Sequence, residues 1–140
     1  MNEGKHKQAE ACFMKILQMK PKDPRPMTSL ALLAEKQGRM GEAIAYYDRI
    51  VKLDPRDGQA WYNRGLALQR MGRREEALAS YREAILNSPR LFGAHLQMGK
   101  MLLEEGRLEA GRTHLKMALE LSPGSKEAQM LLKAASEKTP

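Results

Sequence analysis

Prolines at Pro21, Pro55, Pro89 and Pro123, and glycines at Gly4, Gly38, Gly72 and Gly106, recur at one constant interval, the step from Pro21 to Pro55. A chain repeating at this spacing stacks one supersecondary unit on itself, because a single unit cannot bury its apolar face alone. Two further columns keep the same register. A small residue stands five places after each glycine, at Ala9, Ala43, Ala77 and Gly111, and a bulky one follows four later, at Phe13, Tyr47, Tyr81 and Leu115. Four residues along a helix return to the same face, so each pair is a narrow spot with the side chain that fills the space beside it.

The glycines follow apolar runs of about one helix and precede another, which suits a residue that takes the left-handed conformation and ends the first helix. The prolines follow the second run, where a residue without an amide hydrogen stops the helix. Val and the aromatics are scarce while Ala, Leu, Met, Glu, Lys and Arg abound, a helix-former's composition. The sequence therefore predicts an all-α chain with helices over 5–19, 24–37, 41–53, 58–71, 74–87, 92–105, 108–121 and 125–138. Asp23 before Pro24 reads as an N-cap with the favoured first-turn proline, and Ser125 as the cap of the last helix.

At 140 residues the chain fits one domain. Its net charge of +7 would attract acidic partners, but Lys and Arg are scattered and interleaved with Glu, which reads as a solvated surface. Cys12 is the one cysteine, so no intrachain disulfide or multi-cysteine metal site is available. The amino end lacks a signal-peptide apolar core and no apolar stretch approaches the ~18 residues of a membrane span, so a cytoplasmic location is expected.

The segment Trp61-Tyr62-Asn63-Arg64-Gly65, with Leu68, Gly72, Ala77, Tyr81, Ala84 and Pro89, resembles the tetratricopeptide repeat. Arg64 is its loose position, since the family usually has Leu there. Residues 24–57 match through Leu30, Ala31, Ala43, Tyr47 and Pro55, and residues 92–125 through Met98, Gly99, Leu115, Ala118 and Pro123. The resemblance implies an α-solenoid of antiparallel helix pairs: full repeats at 24–57, 58–91 and 92–125, preceded by the second helix alone of a repeat at 1–23. A capping helix and tail at 126–140 would close the array, with Ala128, Leu131, Leu132 and Ala135 as its packing face. The unpaired first helix would leave the stripe from Ala9 through Cys12, Phe13, Ile16 and Leu17 partly open, a surface for self-association.

No catalytic constellation appears: His6, His95 and His114 lie in different helices, and there is no phosphate loop, zinc spacing or nucleophile set. No cofactor is expected. Met71, Met98, Met101, Met117 and Met130 read as core filling, and Arg39, Arg73 and Arg107, one place after each turn glycine, as cations near helix C-termini.

In the resembling family the first helix of each repeat lines a concave groove that holds an extended peptide or a partner helix. Carried over, that face consists of Arg25, Thr28, Ser29, Leu32 and Lys36, then Gln59, Tyr62, Asn63, Leu66 and Arg70, then Leu96, Gln97, Lys100 and Glu104. Its cations Arg25, Lys36, Arg70 and Lys100 outnumber Glu35 and Glu104, which favours an acidic partner segment. One subfamily grips chaperone tails with Lys, Asn and Arg, but only Asn63 matches; Thr28, Leu32, Gly93 and Gln97 stand at the other positions, which argues against that role. The expected function is a non-enzymatic scaffold that binds another protein. The alternatives are an RNA-binding helical repeat, disfavoured by a groove with a single aromatic, and the non-catalytic arm of a larger enzyme.

Overall fold

The computed structural model describes residues 2–138, so residue 1 of the expected half repeat and residues 139–140 of the expected tail lie outside the described residues. The elements are α1 (Glu3–Met19), α2 (Pro24–Lys36), α3 (Met40–Leu53), α4 (Gly58–Arg70), α5 (Arg74–Asn87), α6 (Phe92–Glu104), α7 (Leu108–Leu121) and α8 (Lys126–Glu137). Each boundary falls within two residues of the sequence expectation, and no strand occurs among the described residues. The tightest pairs are α2 with α3, α4 with α5, and α6 with α7, each joined by a glycine turn.

Those turns share one construction. Gly38, Gly72 and Gly106 take φ of 75°, 73° and 77°, the left-handed region that only glycine enters without strain. The amide after each glycine then reaches back to a carbonyl of the preceding helix: Arg39 to Ala34 at 2.8 Å, Arg73 to Leu68 and Arg107 to Leu102 at 2.9 Å. This is the Schellman closure, which satisfies carbonyls the helix would leave bare.

The arginines consequently do not act as side-chain partners of a helix C-terminus. They stand at the N-caps of α3, α5 and α7, and Arg39 and Arg73 turn their guanidinium groups onto the first-turn acids Glu42 (2.5 Å) and Glu76 (2.7 Å). Arg107 finds Ala110 where Glu42 and Glu76 stand and, among the described residues, reaches one acid, Glu105, at 3.9 Å.

The proline turns carry a periodic staple as well. Trp61 Nε1, His95 Nε2 and Gln129 Nε2, each one repeat from the next, donate to the carbonyls of Pro55, Pro89 and Pro123 at 2.9, 2.8 and 2.8 Å. Helix starts are capped unevenly. Asp23 accepts from the Arg25 amide, Asp57 from Ala60 and Ser125 from Ala128, but Leu91 leaves α6 without a side-chain cap.

Within the pairs, Tyr47, Tyr81 and Leu115 are fully buried. Their partners vary with them: Tyr47 donates to Glu35 at 2.8 Å and Tyr81 to Gln69 at 2.6 Å, whereas Leu115 faces a layer in which Leu103 takes the acceptor's place. A buried phenol needs an acceptor and a leucine does not, so the two columns change together. Burial, with the Glu35 contact second, pushes Tyr47 far above its ordinary value; burial does the same for Tyr81.

Methionine placement departs from expectation. Met98 and Met101 are buried, but Met71, Met117 and Met130 are exposed. Met71 and Met117 occupy columns that hold Gln37 and Glu105, or Arg49 and Glu83, in the other repeats, so these columns face solvent whatever fills them. In α1 only Leu17 is buried; Phe13 is half-buried, while Cys12, Met14, Ile16 and Met19 are exposed. No helix of the described residues is long and apolar enough to cross a membrane.

Candidate functional site

Successive first helices are joined side chain to side chain, which makes α2, α4, α6 and α8 one continuous face. Arg70 of α4 donates to Glu35 of α2 at 2.6 Å, and Glu35 also holds the Tyr47 phenol, so the surface cation is tied to a core side chain. Lys100 of α6 stands 3.6 Å from Glu127 of α8. Between them, the Tyr62 ring of α4 lies over Gly93 of α6; a Cβ at Gly93 would sit 2.5 Å from the Tyr62 hydroxyl. With the ring in this position, any side chain at Gly93 would require Tyr62 to shift.

Of the residues expected to line a groove, all but Leu96 are at least partly exposed on α2, α4 and α6. Gln59 Nε2 donates to Asn63 Oδ1 at 3.1 Å, one helical turn apart. That leaves Asn63 Nδ2 as a donor and Gln59 Oε1 as an acceptor with no partner among the described residues, beside the half-buried Tyr62 and Leu66. Thr28 and Ser29 donate to the Pro24 and Arg25 carbonyls at 3.0 and 3.3 Å, which spends their hydroxyl hydrogens on the helix backbone. Leu32 is 46% exposed and Gln97 half-buried. Burial raises the Tyr62 pKa against the opposing charge of Arg70, so the phenol stays a donor through the neutral range.

Leu96 does not belong to the accessible face. It is buried in a second apolar cluster with Leu115, Ala118 and Ala128, against which Leu131 and Leu132 of α8 pack. Nor is the positive excess what a residue count gives. Arg25 forks onto Asp23 at 2.7 and 3.0 Å, which holds that carboxyl down at about 2; Arg70 has Glu35 and Lys100 has Glu127. Of the four cations Lys36 alone has no acidic partner among the described residues. Glu104 is held by Arg74, which also reaches Glu105 and the Met101 carbonyl and so fastens α5 to the end of α6.

Two histidines from different helices meet on the opposite side of α6. His95 Nε2 is committed as donor to Pro89, which leaves its Nδ1 bare; His114 Nδ1 lies 3.2 Å away and supplies the proton. Burial first, then the neighbouring His95, holds His114 below its ordinary 6.5. A lowered folded pKa means that the unfolded chain takes the proton first as pH falls. The stability this site contributes is therefore present above about 6.5 and is lost as pH falls toward the lowered folded value. Thermal midpoints measured from pH 7.5 to 5.5 should fall, and His114→Gln should flatten part of that fall.

Helix pairs repeated at a constant step, left-handed glycine turns, and one face joined across the first helices define a tetratricopeptide-repeat protein. The chain belongs to the family described as the cilia and flagella-associated protein 70 middle TPR-like domain, matched over residues 27–137, and residues 1–23 match a tetratricopeptide repeat. No curated protein sequence matches it.

Solved structures share the fold. MamA superposes with a TM-score of 0.86 at 20% identity, covering 97% of this chain and 80% of MamA. The TPR domain of Arabidopsis OM64 gives 0.76 at 22% identity, with 83% and 96% covered. The first TPR of Spaghetti (RPAP3), bound to the HSP90 peptide SRMEEVD, gives 0.76 at 24% identity, with 81% and 90% covered.

Proposed function

We propose that the protein is a non-enzymatic, cytoplasmic interaction scaffold whose α2–α4–α6 face is concave and holds an extended segment of another protein. The observation that carries this reading is the Gln59–Asn63 pair: one unengaged amide donor and one unengaged acceptor beside apolar Tyr62 and Leu66. An extended backbone offers a carbonyl and an amide hydrogen in alternation, so it satisfies both groups while its side chains rest on the ring and the leucine. Structural relatives named for bound peptides support a peptide as the ligand class.

Isothermal titration with peptides selected from a random display library tests it. Asn63→Ala should weaken each binder by roughly 0.5–1.5 kcal/mol, whether the peptide is acidic or neutral, because a backbone hydrogen bond is lost. Unchanged affinity would remove the amide pair from the mechanism. Retention of single-stranded RNA on filters, strong at low salt and lost at high salt, would instead favour a nucleic-acid role. Acidic segments are preferred, but modestly. A ligand carboxylate must compete with the largely buried Glu35 for Arg70 and with Glu127 for Lys100, and the latter pair is solvent-screened.

Self-association through α1 is the second part of the proposal. Ile16 is 43% exposed and, with Phe13 and Pro26, lines an open hollow of about 290 Å³ between α1 and α2. Light scattering should show mass rising with protein concentration, and Ile16→Glu should abolish the rise without changing helical content. A monomer at every concentration would contradict it.

A further inference from the structure

One set of three positions, carried from one repeat to the next, gives two different surfaces on the side of the molecule opposite the α2–α4–α6 face. In the first layer the positions hold Asp48 of α3, Arg64 of α4 and Ser80 of α5. Arg64 donates to Asp48 and to the buried Ser80 hydroxyl, both at 2.6 Å, and its guanidinium lies 5.8 Å from the Trp61 ring centre. The hollow outside this bridge is lined by Val51, Pro55 and Trp61 with Asp48, Lys52 and Arg64, so an acid stands among its cations. The bridge neutralises that layer from within.

In the next layer the same positions hold Arg82 of α5, Met98 of α6 and His114 of α7. The acid has become a cation, and the bridging arginine has become a methionine that stays down in the core. A crevice of about 310 Å³ opens above Met98 and Leu102, walled by Ile85, Leu86 and Ala110, with Arg82, Arg107 and His114 around it. No acid lines it. Arg82 makes no ion pair among the described residues, and Arg107 lacks the Glu that neutralises Arg39 and Arg73, its place being taken by Ala110. Leu86 stands at the edge 73% exposed.

We infer that this crevice between α5, α6 and α7 is a second docking site, and that its occupant is a protein segment with a bulky aliphatic or aromatic side chain flanked by carboxylates. The apolar floor takes the side chain, and two under-neutralised arginines on opposite walls take the acids. His95 fixes the His114 ring through Nδ1, which leaves His114 Nε2 as an acceptor for an amide of the same segment. The crevice shares no residue with the groove described above, so the two sites stand or fall separately.

The test is fluorescence anisotropy with a labelled peptide in which a leucine pair is flanked by aspartate and glutamate, at low and physiological salt. Saturable binding is expected, weakened roughly three- to five-fold by Arg82→Gln and by Ala110→Glu, which gives Arg107 the partner its counterparts have. The triple replacement Arg82→Asp, Met98→Arg, His114→Ser copies the bridged layer and should abolish binding while circular dichroism stays helical. If that variant fails to fold, Ala110→Glu, a change at a half-buried position, carries the test alone. Asn63→Ala should leave this affinity unchanged. Three results would overturn the inference: no saturation up to about 1 mM peptide; affinity indifferent to Arg82→Gln and Ala110→Glu; or binding of dodecanoate but not of the peptide.

Discussion

Replacing Tyr81 with alanine is expected to destabilise the protein by about 3–5 kcal/mol, the range for emptying an aromatic-sized space in a core that cannot collapse. Tyr81 is fully buried, its ring fills the space left by Gly65, where a Cβ would come within 2.6 Å of it, and its hydroxyl engages Gln69. The residual cavity would lie between α4 and α5, in the middle of the array, so neighbouring repeats lose their stacking surface too. Tyr81→Phe should cost far less, about 1 kcal/mol, because packing survives and only the phenol bond to Gln69 is lost. Urea denaturation followed by circular dichroism separates the two. Equal midpoints for wild type and Tyr81→Ala would show that the register assigned to the repeats is wrong.

The second large effect is expected from Gly99→Val. A Cβ at Gly99 would lie 2.7 Å from Leu115 Cγ and 3.1 Å from the Gly111 carbonyl, while a Cβ at Gly111 would meet Leu103 Cδ2 at 2.7 Å. Both sides of the α6–α7 contact thus depend on glycine, where the α2–α3 contact uses Ala31 and Ala43. Leu115 is fully buried and has little room to give, and the Gly111 carbonyl stands close behind, so the cost should be about 2–3 kcal/mol despite the better helix propensity of valine over glycine. Adding Leu115→Ala should recover part of it, giving a double-mutant energy smaller than the sum of the singles. Simple additivity would contradict the contact.

The helices were legible because the two residues that punctuate them, a left-handed glycine and a proline, act locally and recur in register. What lay beyond reading was the state of a column once its neighbours are in place. Leu96 shares a column with half-exposed Tyr62, yet α8 lays Ala128 and Leu131 beside it and closes it off. Arg70 and Lys100 read as free because Glu35 and Glu127, each on a different helix from the base it neutralises and far from it along the chain, meet those bases only after the solenoid is wound.

Other features did leave a signal. Tyr47 with Glu35, Tyr81 with Gln69, and Leu115 with Leu103 change together at fixed offset, so the phenol acceptors could have been found by comparing repeats rather than residues. The exposed positions of Met71 and Met117 follow from the same comparison. Asp57 stands in the column of the recognised caps Asp23 and Ser125 and caps α4 in the same way. The meeting of His95 and His114 left none, since it depends on how α7 settles against α6.

Whether the face built by α2, α4 and α6 holds an extended segment of another protein is decided by chemical-shift mapping. Backbone and side-chain amides of the isotope-labelled protein would be followed as the tightest display-selected peptide is titrated in. The expected result is a contiguous set of shifts at Thr28, Gln59, Tyr62, Asn63, Leu66 and Gln97, with the Asn63 side-chain amide among the largest and Asn63→Ala weakening the titration. Shifts confined to α3, α5 and α7, with the Asn63 amide unmoved, would contradict it.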